Sequence, residues 1–282
     1  MKKKKTLYRI LIIISIAGIL AGAIPTVHYL VDALRQKSRY EDLSQIVHGD
    51  TSPRPAPTAP TEADGDSTEP SAAPAEPAYT EVIHPVTGKA IQVLSGFAPL
   101  YEMNSDIVGW MSIPGTTLDY PVMQTPNDPN YYLTRNFDRE NSSRGCLYVQ
   151  ENCDVFAPSD NLVIYGHRMR DGSMFGLLGN YTDRSYWEAH PDIYFDTLTR
   201  KQTYRIVAVF STESSVTSGF AYHQYVDLDS PEDFDKFITT CRQKAFYDTG
   251  VEVAPGDELI TLSTCEYTNI NGRLVIIAKR IA

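Results

Sequence analysis

A cysteine and a histidine, each closing a β-prone run, are the residues of this 282-residue chain best suited to acyl transfer. Glu258-Leu-Ile-Thr-Leu-Ser-Thr-Cys265 ends in a thiol, and Asn161-Leu-Val-Ile-Tyr-Gly-His167 ends in an imidazole behind a glycine. Together they supply the minimal nucleophile and acid/base pair for attack on an amide carbonyl. Arg273 opens the next β-prone run after the polar turn Thr268 to Gly272, so a hairpin sets it beside Cys265. A fixed cation there favours the thiolate and stabilises the oxyanion that forms on attack. No third Asp or Asn stands out as the further member of a triad.

The other cysteines, Cys146, Cys153 and Cys241, show no CxxC spacing, which argues against a zinc site or a redox pair. With Cys265 as a working thiol, at most one disulfide can form among them. No metal or other cofactor is called for.

The elements that must position these residues are mainly strands. Trp110 to Ile113, Leu118 to Met123, Gly145 to Val149, Leu162 to Gly166, Ile193 to Thr197, Tyr204 to Phe210, Glu258 to Thr264 and Leu274 to Lys279 read as eight strands between turn signals. Eight strands in about 200 residues suggest a closed barrel or a sandwich. A short helix is expected around Met174 to Leu178. A longer one begins at Ser230-Pro231-Glu232-Asp233, where Ser caps, Pro suits the first helical position and the acids favour the positive end of the dipole. Phe234, Phe237, Ile238 and Cys241 then share one face, which makes Cys241 a buried apolar residue rather than a reactive thiol.

The N-terminus reads differently. Lys2, Lys3, Lys4, Lys5 and Arg9 precede an apolar run from Ile10 to Ile24 that continues to Val31, a helix of roughly 30 Å and long enough to cross a bilayer with its N-terminus inside. Ala21-Gly22-Ala23 offers a cleavage site as the alternative, and either reading leaves the remainder extracytoplasmic. The expected organisation is a basic tail over 1–9, a transmembrane anchor over 10–31 and a juxtamembrane helix over 32–48. A disordered linker rich in Pro, Ala and Thr over 49–80 and a catalytic domain over 81–282 complete it. The linker has no large apolar residue from Thr51 to Ala78 and gives reach. The formal net charge is −10, or −15 with the five N-terminal cations set aside, which argues against a nucleic-acid partner.

The histidine, cysteine and arginine stretches, the last Arg273-Leu-Val-Ile-Ile-Ala-Lys279, resemble the corresponding motifs of sortases. Asp171-Gly-Ser-Met-Phe-Gly176, Asn104-Ser-Asp-Ile-Val-Gly-Trp110 and Asp119-Tyr-Pro-Val122 resemble class B in particular. The resemblance runs from about Phe97 to the C-terminus. It implies an eight-stranded sortase-type β-barrel with a few peripheral helices, the Ser230 to Phe246 helix lying in a long connection between the sixth and seventh strands. It further implies that Cys265 attacks the Thr carbonyl of an (N/S)PxT-like sorting signal, that His167 protonates the departing amine and that Arg273 holds the oxyanion. An amine of a peptidoglycan precursor or of another surface protein then resolves the thioester. Leu133, Tyr222, Ser263 and Glu266 fall where class B sortases line the peptide groove, although barrel packing or solvated surface would also account for them.

The basic flank and apolar run make the expected location the cell membrane, single-pass, with the N-terminus inside and the catalytic domain outside. The linker departs from the class B pattern, in which the anchor leads directly to a helix near the barrel. His84-Pro-Val-Thr-Gly88 has the look of a sorting pentapeptide inside the chain itself, with a plain turn as the simpler reading. Two rival functions are a cysteine hydrolase using the same three residues and a non-catalytic surface β-domain.

Overall fold

A computed structural model describes residues 2–49, 77–84, 87–213, 219–228, 230–265 and 272–282, without the side chains of Cys265 and of most residues from 2 to 28. The chain divides into two compact units, Met1–Asp42 and Leu43–Ala282. The first unit lies within one helix, α1 (Lys2–His48), which includes the expected anchor and juxtamembrane segments without a break. Among the described residues no helix is long and apolar enough to cross a membrane. The expected linker falls outside the described residues from 51 to 76.

The second unit is built on a closed eight-stranded barrel. Its strands are β3 (Ile107–Ser112), β4 (Asp119–Met123), β5 (Leu147–Val149), β6 (Asn161–Tyr165), β7 (Asp192–Thr197), β8 (Thr203–Glu213), β9 (Leu259–Cys265) and β10 (Gly272–Arg280). A hairpin of β1 (Tyr79–Ile83) and β2 (Ala90–Leu94) precedes them. Each of the eight expected strands overlaps one of the barrel strands, in the order β10-β8-β7-β3-β4-β5-β6-β9. Closure leaves no unpaired edge. Trp110, Phe195 and Phe210, each no more than 2% exposed, are buried on the two faces of the barrel wall along with Val163 and Ile276. Burying each large apolar side chain contributes about 1.5–3 kcal/mol.

Three short helices flank the barrel: α2 (Ala98–Met103), α3 (Arg184–Ala189) and α4 (Pro231–Lys244). The Ser230 hydroxyl caps α4 by accepting from the Asp233 amide at 3.1 Å, and Phe234, Phe237, Ile238 and Cys241 form its buried face. It packs on β8 within the connection between the sixth and seventh barrel strands. The helix expected around Met174 to Leu178 forms in part, from Gly176 onward. Met174 adopts a left-handed backbone (φ 52°), which stops helix formation there, and a 3₁₀ segment forms later at Gly176–Thr182.

The last turn of α1 belongs to the barrel unit. Leu43 is fully buried, and Asp119 accepts from the Ser44 hydroxyl, from His48 Nε2 at 3.2 Å and from Trp110 Nε1 at 2.6 Å. Burial alone would raise the Asp119 carboxyl, but these three donors together hold it below its ordinary pKa. The helix end approaches so closely at Gly96 that a Cβ there would lie 2.7 Å from the Val47 carbonyl oxygen. Despite the long linker in sequence, the end of this helix rests on the barrel.

The segment His84 to Gly88 is the β1–β2 turn. Gly88 takes a positive φ of 65° and donates to the His84 carbonyl at 2.9 Å, while His84 donates from its backbone to the Lys89 carbonyl at 2.8 Å. Pro85 and Val86 lie outside the described residues.

Candidate active site

Strand register does most of the positioning. β6 and β9 run parallel with Tyr165 opposite Ser263, and the Gly166 amide extends the ladder to the Ser263 carbonyl at 3.2 Å. Two further residues along each strand are His167 and Cys265. The register is pinned from inside by Asn161, fully buried, which accepts from the Thr261 hydroxyl at 2.8 Å and donates to the Tyr225 carbonyl at 2.7 Å. A one-residue slip would break both bonds and turn every side chain to the other face. β9 and β10 run antiparallel with Cys265 directly opposite Arg273.

Gly166 explains how a histidine can leave the strand here. A Cβ at this position would come within 2.5 Å of Leu147 Cδ2 and 2.7 Å of the Phe175 ring, so only glycine allows both to close beneath the turn. The Phe175 amide then donates to the His167 carbonyl at 3.0 Å. His167 Nε2 lies 2.7 Å from the Leu133 carbonyl oxygen. A carbonyl only accepts, so Nε2 carries the proton and Nδ1 is the nitrogen left to exchange one.

Leu133 owes its place to a polar network. Asp106 accepts from the Tyr132 hydroxyl at 2.7 Å and from Arg139 Nε and Nη2 at 3.1 and 3.0 Å, and buried Asn104 donates to the Tyr132 hydroxyl at 2.8 Å. On the other side, Arg144, 5% exposed, pairs with Asp171 at 2.7 Å and reaches Ser173, fixing the loop that follows His167. The guanidinium bond, set against a smaller cost of burial, holds the Asp171 carboxyl down at about 2.

His167, Arg273, Leu133, Tyr222 and Ser263 line one groove of about 420 Å³. The Tyr222 and Ser263 hydroxyls are 2.6 Å apart, tying the long connection after β8 to the strand that ends in Cys265. Arg273 donates to the Gly272 carbonyl at 3.0 Å and has no carboxylate partner among the described residues. Glu266 lies outside those residues.

Several groove residues escape sequence reasoning. Tyr148 and Tyr165 face each other across β5 and β6, and Gln150, Glu151, Asn130, His223 and Thr264 complete the walls. Gln150 accepts from the Tyr165 hydroxyl at 2.5 Å and donates to the His223 carbonyl at 3.0 Å. Burial, and then the positive charge of Arg273, lower the His223 pKa. The available signal was a tyrosine among aliphatic residues in each of β5 and β6. His223 and Glu151 carry none, because they come to the groove from loops far from Arg273 in sequence.

The three remaining cysteines are structural. Cys146, Cys153 and Cys241 are buried outside any disulfide, and burial pushes the Cys153 thiol up to about 11. Cys241 is raised further for the same reason.

The sortase domain family matches residues 111–281. The chain is similar to sortase B of Listeria monocytogenes, 35% identical over 187 residues that cover 64% of this chain and 72% of that protein. It is also similar to sortase B of Staphylococcus aureus, 31% identical over 189 residues covering 66% and 74%. The structure of a Staphylococcus aureus sortase B-substrate complex covers 67% of this chain and 86% of its own at 31% identity, with a TM-score of 0.61. That of sortase B from B. anthracis in complex with AAEK1 covers 89% and 99% at 26% identity, with a TM-score of 0.66. With its barrel, its parallel β6–β9 pair and these relatives, the chain belongs to the sortase family of cysteine transpeptidases, within class B.

Proposed function

We propose that the chain cleaves an (N/S)PxT-like sorting signal after Thr and transfers the acyl group to an amine of a peptidoglycan precursor or a surface protein. The observation that carries this reading is the groove itself, in which His167, Arg273, Leu133, Tyr222 and Ser263 meet around the strand position of Cys265. A relative of this chain has been solved as a substrate complex, and the groove here supports a peptide occupant in the same way.

In this reading the Cys265 thiolate attacks the Thr carbonyl carbon and the carbonyl electrons move onto oxygen, where the Arg273 guanidinium stabilises them. Collapse of the intermediate breaks the C–N bond. The leaving amine takes a proton from His167, whose Nε2–H is committed to Leu133 and whose Nδ1–H is therefore the one to transfer. An acceptor amine then attacks the thioester, Nδ1 takes back a proton, and the new amide leaves with the thiolate restored. Tyr222 and Ser263, joined to each other, present hydroxyls to the peptide backbone, and Glu266, next in sequence to the nucleophile, is read as a further contact to the peptide.

The N-terminal segment is read as a membrane anchor with the catalytic unit outside the cell. The support is the basic flank and the apolar run Ile10 to Ile24.

Incubation of the protein with an (N/S)PxT-containing peptide, with and without an amine, tests the function. A ligated product that disappears in Cys265→Ala is expected. Free acid alone, whatever amine is supplied, would identify a hydrolase, and full activity of Cys265→Ala would remove Cys265 from the mechanism.

A further inference from the structure

A second cavity, of about 570 Å³, lies against the loop that follows His167 and shares no residue with the peptide groove. Its walls carry Arg168 and Arg170 from that loop, Thr116 and Thr117 from the β3–β4 turn, and Asn180 and Tyr186 from the segments beyond. The lining holds two cations and no acid, on a chain of formal net charge −10. Such a concentration of positive charge stands against the background field and favours an anion.

The loop is folded so that its own acid does not neutralise this charge. Asp171 is turned to buried Arg144 at 2.7 Å and to the Ser173 amide at 3.1 Å, which leaves Arg170 with no carboxylate partner among the described residues. Arg168 is seated rather than loose, since a Cβ at Gly179 would lie 2.5 Å from its Nη2. The cavity thus offers one held guanidinium, one exposed guanidinium and the hydroxyl and amide donors of Thr117, Tyr186 and Asn180. That donor set suits the planar or tetrahedral oxygens of an acid group.

We propose that this cavity is the acceptor's anion subsite, binding a carboxylate or phosphate group carried by the amine substrate. The proposal rests on the transpeptidase reading, because only a transferase has an acceptor to hold. Charge on the acceptor would then draw it to the His167 side of the groove, where the proton of its attacking amine must go.

The test uses the full chain in detergent and two acceptor peptides that differ only in a terminal carboxylate or carboxamide, with a phosphorylated third. The expected result is about a ten-fold preference in acceptor kcat/KM for the anionic peptides, the scale of one charge-assisted contact. Arg170→Gln should bring that preference towards one, and Arg170→Lys should keep part of it. No preference in the wild type, or one that survives in Arg170→Gln, overturns the proposal. A second arm titrates inorganic pyrophosphate and glutarate while following the Arg170 Nε–Hε resonance. A shift with pyrophosphate alone assigns a phosphate, a shift with glutarate alone assigns a carboxylate, and no shift with either overturns the site. If the donor yields only free acid while anions still move that resonance, the transfer reading fails and the acceptor role falls with it.

Discussion

Burial takes three of the four cysteines out of chemistry. Cys146, Cys153 and Cys241 lie inside the barrel unit, and the Cys153 thiol, pushed up to about 11, is protonated throughout the neutral range. A thiol needs its thiolate to react, so alkylation of the native protein at pH 7.5 should modify a single site and none in Cys265→Ala. Mass mapping reads this, and rapid native labelling at Cys153 would sink it. The groove's arginine can be probed through its neighbour. Arg273 lowers the His223 pKa, so in Arg273→Gln the His223 imidazole should titrate at higher pH, as NMR would record. For activity, Arg273→Lys should lose roughly 10²-fold in kcat/KM, because a point-charge ammonium replaces a fork aimed at the oxyanion. Near wild-type turnover would take Arg273 out of the mechanism.

At the scale of elements, what the sequence revealed and what it hid follow from burial. The eight barrel strands were legible because their β-branched and aromatic residues must pack on a closed core, and α4 was legible from its cap and its one apolar face. The β1–β2 hairpin was missed because only Val82 of β1 is buried, which leaves no alternation to read. The loop from Arg168 to Gly172 was legible from its polar residues, whereas the short helix expected around Met174 to Leu178 starts two residues later, as a 3₁₀ segment, because Met174 has a left-handed backbone. The Arg144–Asp171 pair, distant in sequence, holds that loop in place. In Arg144→Gln the Asp171 carboxyl should rise from about 2 towards the ordinary range near 4. Because the folded pKa is the lower one, the pair's stabilisation is complete above about pH 4 and fades as pH falls towards 2. Asp171 is 47% exposed, so the stability change is small, and the larger effect belongs to turnover through the His167 loop. A fall of about ten-fold in kcat is expected. Unchanged kcat, with the Asp171 titration moved as described, would uncouple that pair from the catalytic histidine.

The whole molecule joins an acidic barrel unit to a basic, apolar N-terminus. With the five cations of the first nine residues set aside, the rest of the chain carries −15. The acidic unit would be repelled by an anionic membrane surface, whereas the lysines at positions 2 to 5 would be drawn to one. In the proposed anchor reading, a helix from Ile10 to Val31 would satisfy its backbone internally and stay in the bilayer, while a cleaved leader would release the barrel. Ser44 and His48 hold the last turn of α1 on the barrel through Asp119, beside fully buried Leu43. The expected outcome is that the expressed chain retains its N-terminus, resists carbonate extraction and loses its catalytic unit to protease added from outside. A soluble product beginning after Ala23 would show that the N-terminal run is a leader. Asp119→Ala should leave membrane retention intact and release the helix end, read as faster proteolysis near Gly49; equal rates for both proteins would remove the Asp119 clamp from the account.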